Sequence, residues 1–172
     1  MTSPIGGNPY TVRLLSYLGE RDPLEVLSQT PGRLRALRQR IGVRGLEKSA
    51  AAGKWTSRQI FAHLADVEIA FGFRIRQLLA EADHRIQPFD QDAWARRYSD
   101  SDPEAAVEAF GALRSWNLAL LRGLGPQELA RKVFHPERGE ETLDLMIRML
   151  AGHDLNHTAP LESIAAATEA HS

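Results

Sequence analysis

The segment 142–164, TLDLMIRMLAGHDLNHTAPLESI, constrains this chain most. Leu143, Met146, Ile147, Leu150, Leu161 and Ile164 recur at the three- and four-residue spacing of one buried helix face. His153 and His157 fall on that face, in the gap between Leu150 and Leu161. They are one turn apart, so their rings point the same way. Imidazoles inside an apolar stripe are costly unless their nitrogens find partners. Backbone carbonyls in a core are one kind of partner. A metal ion is another, and it takes neutral imidazole at this spacing. HxxxH alone carries little, so the metal reading needs a third ligand from elsewhere.

The 172 residues fit one domain, 1–172, with a core over about 30–165. The chain is 43% hydrophobic and 25% charged, as soluble globular proteins are. A formal charge of −1 argues against nucleic acid as a partner. There is no cysteine, which excludes disulfides, thiolate ligands and cysteine nucleophiles. A metal site here must be built from His, Asp, Glu and water. No apolar run reaches membrane-spanning length, so no membrane association is expected. MTSPIGGNPY lacks a basic-then-apolar signal pattern. A cytoplasmic location is the expectation.

Residues 1–8 read as loose, and 10–18 as a short helix. Asp22-Pro23 is a helix start, and Thr30-Pro31 repeats that signal. Leu34, Leu37 and Ile41 then mark one face, and Gly42 ends the segment. The arginines between them, Arg33, Arg35, Arg38 and Arg40, read as a solvated face. The clearest start lies at Thr56, with Gln59 completing a capping box and Trp55 and Ile60 at staple positions. That helix is expected to reach about Glu81, with Ile60, Leu64, Val67, Phe71, Ile75 and Leu78 as its stripe. Residues 84–98 read as an extended connection. Asp102-Pro103 opens a third helix, closed near Leu124 by Gly125-Pro126 and interrupted by Arg114 on its apolar face. VFHPERGEET reads as a loop ending in a cap at Thr142, and ATEAHS as a frayed tail. Few runs alternate with period two, and Val and Thr are sparse, so no strand is expected. Four long amphipathic segments argue an all-α four-helix bundle whose long links permit crossovers.

Six histidines are present. His171 lies in the tail and His84 in a loop, and His135 reads as structural or exposed. His63 sits at the edge of its helix stripe and joins His153 and His157 as a residue on or beside a core face. The three could be core histidines bonded to carbonyls, or three ligands of one metal. Asp66 and Asp154 could orient ligand imidazoles, or be solvated helix charges. Asp154 occupies the place of the zincin glutamate in HDLNH, but its shorter side chain does not carry that role. Pro160 removes the bond to the Asn156 carbonyl and is expected to bend the last helix.

WTSRQIFAHLADVE, PFDQDAW, HPERGEETL and AGHDLNH, in this order, resemble the DinB/YfiT-like superfamily. The resemblance covers about 30–164, most of the chain. It implies a four-helix bundle with up-down-down-up order and a divalent metal on His63, His153 and His157. Many members carry a glutamine two residues after the last histidine, where this chain has Ala159. The resemblance also implies a small-molecule substrate, a homodimer, and thiol-dependent transferase or isomerase chemistry, or metal-dependent hydrolysis. A thiol would have to come from a low-molecular-weight cosubstrate, because the chain has none. Zinc or nickel is expected, with iron or manganese as alternatives, since imidazole sites accept several divalent ions. Asp90, Trp94 and Trp55 are candidate pocket residues, or packing and loop anchors. The competing reading is a non-catalytic binding or sensing bundle, which would be expected to close its site with a fourth ligand.

Overall fold

The structure, a computed structural model, describes residues 8–82 and 84–170. The loose segment expected before Asn8 and the tail residue His171 lie outside the described residues. Seven helices and one hairpin follow in order: α1 (Pro9–Leu18), α2 (Pro23–Ile41), α3 (Ser57–Ala80), α4 (Gln91–Ala95), a 3-10 turn (Tyr98–Asp100), α5 (Pro103–Leu121), α6 (Pro126–Leu129), strands β1 (Lys132–His135) and β2 (Gly139–Thr142), and α7 (Leu143–Glu169). The caps explain the starts. Asp22 accepts from the Glu25 amide, Asp102 from Glu104 and Thr142 from Leu145, while Thr56 and Gln59 close a reciprocal box.

The four long helices, α2, α3, α5 and α7, form the bundle. Each of α2 and α3 packs against both α5 and α7. Ion pairs report the directions. Arg33 meets Glu162 and Arg40 meets Glu169, so α2 and α7 run parallel. Arg35 meets Glu108 and Arg38 meets Glu104, so α2 and α5 are antiparallel. Glu68 meets Arg114, and Gly72 lies against Asn117 further along both helices, so α3 and α5 are parallel. The order is therefore up-down-down-up. Two parallel neighbours need a connection that returns the length of a helix, which is why the link from α3 to α5 is long.

That link is not extended as the sequence suggests. Asp90 caps α4 by accepting from the Ala93 amide at 2.9 Å, and the 3-10 turn follows. Residues 132–142 form a hairpin rather than a loop, pairing Val133 with Glu141 and His135 with Gly139. Its four-residue strands are too short to show alternation in sequence. Gly139, at φ 85°, supplies the turn. Thr30-Pro31 does not start a helix; α2 runs through it. The tail also stays helical to Glu169, with the Thr168 hydroxyl donating to the Ile164 carbonyl. Helix α7 continues through Pro160.

Pro31 has no N–H for the Leu27 carbonyl four residues back. Arg114 takes that carbonyl instead, at 3.0 Å. The same guanidinium holds Glu68 of α3 (3.0 and 2.8 Å) and Asp154 of α7 (2.6 and 3.1 Å). All three side chains are buried. Burial alone would pull the Arg114 pKa down, but Asp154 and Glu68 raise it, so the guanidinium stays charged. Asn117 donates to the second Glu68 oxygen at 2.9 Å and accepts from Arg76 at 2.7 Å. This polar layer separates two apolar clusters. One contains Leu27, Phe71, Ile75, Leu118, Ile147 and Leu150; the other contains Leu34, Leu64, Phe110, Leu161 and Ile164. Helix α1 packs on α7. A Cβ on Gly152 would lie 2.0 Å from the Leu14 carbonyl oxygen, so that approach requires glycine.

Arg114→Met should cost about 3–5 kcal/mol in urea unfolding, because two carboxylates would stay buried without their counter-ion. A loss below about 1 kcal/mol would show that the layer is not holding the helices.

Candidate metal centre

His63 comes from the second turn of α3, and His153 and His157 from successive turns of α7. The capping box at Thr56 fixes where α3 begins, and hence the direction of His63. The structure brings the three residues together. One ring nitrogen of each lies within 4.8 Å of those of the other two. His63 Nε2 faces His153 Nε2 at 3.0 Å. Ring centroids are 4.4–5.1 Å apart. His63 and His153 are buried and His157 is half-buried.

This environment keeps the rings neutral. Burial takes the His63 pKa down to about 3, with the neighbouring His157 adding to the effect. Burial and the Arg13 charge take His157 to about 4. His153 falls well below the ordinary value through burial, the other two histidines and Arg114. Neutral imidazoles present lone pairs, and facing nitrogens cannot all be donors to one another. The 3.0 Å separation equals that of two cis ligands each about 2.1 Å from a common ion. The donor set therefore fits a divalent metal. Among the described residues no further carboxylate or histidine joins the group. The arrangement leaves room for exogenous ligands, as catalytic sites do.

The two aspartates do not orient the imidazoles. Asp154 is turned to Arg114, which occupies both of its oxygens. Asp66 faces the Tyr98 hydroxyl, and burial raises its pKa. Nδ1 of both His63 and His153 is buried without a hydrogen-bond partner among the described residues. Aromatic packing holds the rings instead. Trp55 lies 4.6 Å from the His63 ring and stacks on His157 at 6.0 Å, while Tyr98 closes over His63 at 6.3 Å. Of the candidate pocket residues, Trp55 is thus part of the site. Asp90 lines a neighbouring cavity. Trp94 packs on Phe89 and lines a different hollow with Asp66 and Tyr98.

The neighbouring cavity measures about 710 Å³ and has His153 in its wall. Tyr10, Phe71, Arg74, Arg138 and Met149 are also in its lining. His135, expected to be structural or exposed, is buried and lines it as well, its Nδ1 accepting from the Glu137 amide at 3.2 Å. Sequence reasoning missed these residues because they come from α1, α3, the hairpin and α7. The one available signal was the polar HPERGE string, which the hairpin folds over the cavity. His84 stays apart, paired with Glu81 at 3.1 Å.

The folded-state pKa values of these histidines lie below the ordinary 6.5. Between those values the unfolded chain binds more protons, so stability rises with pH. Metal-free protein should keep its full stability above about pH 6.5 and lose it as pH falls towards 4 and then 3. His63→Leu should make the slope of the urea midpoint against pH shallower. An unchanged slope would show that His63 is not buried as a neutral ring.

Known proteins share this sequence and fold. A proposed metal-dependent hydrolase of Oceanobacillus iheyensis is 32% identical over 120 residues, covering 69% of this chain and 70% of its own. The proposed metal-dependent hydrolase YfiT of Bacillus subtilis is 28% identical over 144 residues, covering 82% and 81%. The solved YfiT structure, described as an unusual four-helix bundle, superposes with a TM-score of 0.79 at 26% identity, covering 84% of this chain and 85% of that one. The family model of the DinB superfamily matches residues 26–160. The chain belongs to the DinB superfamily.

Proposed function

We propose that this protein is a metal-dependent enzyme acting on a small electrophilic molecule, with His63, His153 and His157 as the metal ligands. The observation that carries the reading is the convergence of three neutral imidazoles beside a cavity of about 710 Å³. A divalent ion held there supplies a nucleophile at neutral pH by lowering the pKa of a water or thiol bound to it. Zinc or nickel suits the donor set, and iron or manganese can occupy the same imidazoles. His63 anchors from α3 while the other two anchor from α7, so metal binding ties the two helices. Trp55 and Tyr98 shield the rings from solvent and fix their planes. The cavity presents its contents to His153 and holds them by its mixed apolar and polar wall.

Two nucleophiles suit this site. Water would make the protein a hydrolase, as the names of its relatives suggest. A low-molecular-weight thiol would make it an S-transferase, and the absence of cysteine means that the thiol must enter with the substrate. The cavity is large enough for a cosubstrate as well as an electrophile, which supports the transferase reading. A homodimer and a cytoplasmic setting suit this assignment. Among the described residues no helix is long and apolar enough to cross a membrane.

Elemental analysis of untagged protein, purified without chelator or metal resin, should find about one equivalent of a divalent metal. The His153→Ala, His157→Ala double variant should hold none. Activated esters and alkyl halides, each incubated with and without a small thiol, then separate hydrolysis from thiol transfer by mass spectrometry. Failure to take up zinc, nickel or cobalt would sink the enzyme reading and leave the histidines as core residues.

A further inference from the structure

Besides His153, the lining of the cavity carries a cation that the proposed reaction does not use. Arg74 of α3 is half-buried there, between Phe71 and Ile75 of the apolar stripe. It donates to the Gln87 carbonyl at 3.1 Å and lies 5.4 Å above the Phe89 ring. Among the described residues no carboxylate comes within ion-pair distance of it. Arg138, in the same lining, is paired with both oxygens of Glu141, which leaves its charge felt at Arg74 but its guanidinium engaged. Asp90 and Asp92 line the cavity as well, and one Asp90 oxygen accepts from the Ala93 amide at the α4 cap.

Two further observations bear on the charge that Arg74 meets there. Burial raises the Tyr10 pKa, and Arg138, Arg13 and Arg74 each oppose it more strongly than Glu141 adds to it. Burial and the charge of Arg138 both disfavour the Arg74 cation, so an anion placed between them would relieve an existing cost. Glu141 and, more weakly, Glu137 are the carboxylates whose fields reach Arg74, and burial and Arg138 outweigh them. Guanidinium groups bind planar carboxylates through two parallel hydrogen bonds, and Arg74 keeps donors free for this.

We propose that the cavity takes a small molecule bearing a carboxylate, and that Arg74 is the specificity residue that receives it. His153 shares the cavity, so a molecule anchored on Arg74 extends its other end towards the three histidines. The inference rests on the metal-enzyme reading only for what happens at that far end.

The test uses cobalt-loaded protein and a series of dicarboxylic acid monohydroxamates of increasing chain length. The hydroxamate occupies the cobalt and changes its visible spectrum, while the far carboxylate reaches for Arg74. Matched compounds ending in a primary amide serve as controls. Wild type should prefer carboxylate over amide by tenfold or more at one chain length. Arg74→Met should bring the ratio near one and leave amide binding unchanged, Arg74→Lys should keep part of the preference, and Glu137→Gln should increase it. No preference in wild type, or one that survives in Arg74→Met, overturns the proposal. If the protein takes up no cobalt, the metal reading fails separately. Calorimetry of plain dicarboxylates against metal-free wild type and Arg74→Met then decides: binding lost in the variant supports the proposal, and no Arg74-dependent binding overturns it.

Discussion

The buried guanidinium of Arg114 is the interaction on which the rest of this bundle depends. It touches all four long helices: its own α5, the Leu27 carbonyl of α2, Glu68 of α3 and Asp154 of α7. A single cation that contacts four elements fixes their relative height as well as their proximity. Apolar clusters above and below constrain height less sharply, because the hydrophobic effect has no direction. A buried charge with three partners loses far more when displaced. Pro31 is part of the same device. By lacking a donor, it frees the carbonyl that Arg114 uses.

The histidine group depends on that registration. His153 precedes Asp154, so the lock on Asp154 also sets the rotation of α7 at His153. Glu68 lies five residues beyond His63 and does the same for α3. The three imidazoles therefore meet without a carboxylate to steer them. Their orientation comes from Trp55, Tyr98 and two locked helices. The polar layer and the candidate centre differ in charge state for a reason. Arg114 is stabilised as a cation by two anions, while burial keeps the histidines neutral, with nearby Arg13 and Arg114 adding to the effect at His153 and Arg13 at His157.

Local signals carried the long helices. Caps at Asp22, Thr56, Asp102 and Thr142 and the three-four stripes were legible because they are contiguous in sequence. The three histidines were also legible, through the faces on which they lie. What stayed hidden was long-range. The hairpin has too few residues to show a period. Residues 84–98 gave no sign that Asp90 would nucleate a turn of helix. Pro31 carries a start signal that tertiary contacts override, and Asp154 looked like a partner for imidazole because Arg114 sits far away in sequence. The cavity wall was the least visible, since Tyr10, Arg74 and Arg138 come from three separate elements.

Gly152, His153 and Asp154 are consecutive, yet each serves a different neighbour. Glycine admits α1, histidine joins the candidate centre, and aspartate engages Arg114. Successive residues on a helix point about 100° apart, so one short tripeptide addresses three directions at once. No rotation of α7 can improve one of these contacts without breaking the other two. Length changes in this chain should therefore concentrate in the links and be excluded from α7 between Thr142 and His157. A single inserted residue there would turn the whole motif away from its partners, although every side chain in it remained intact.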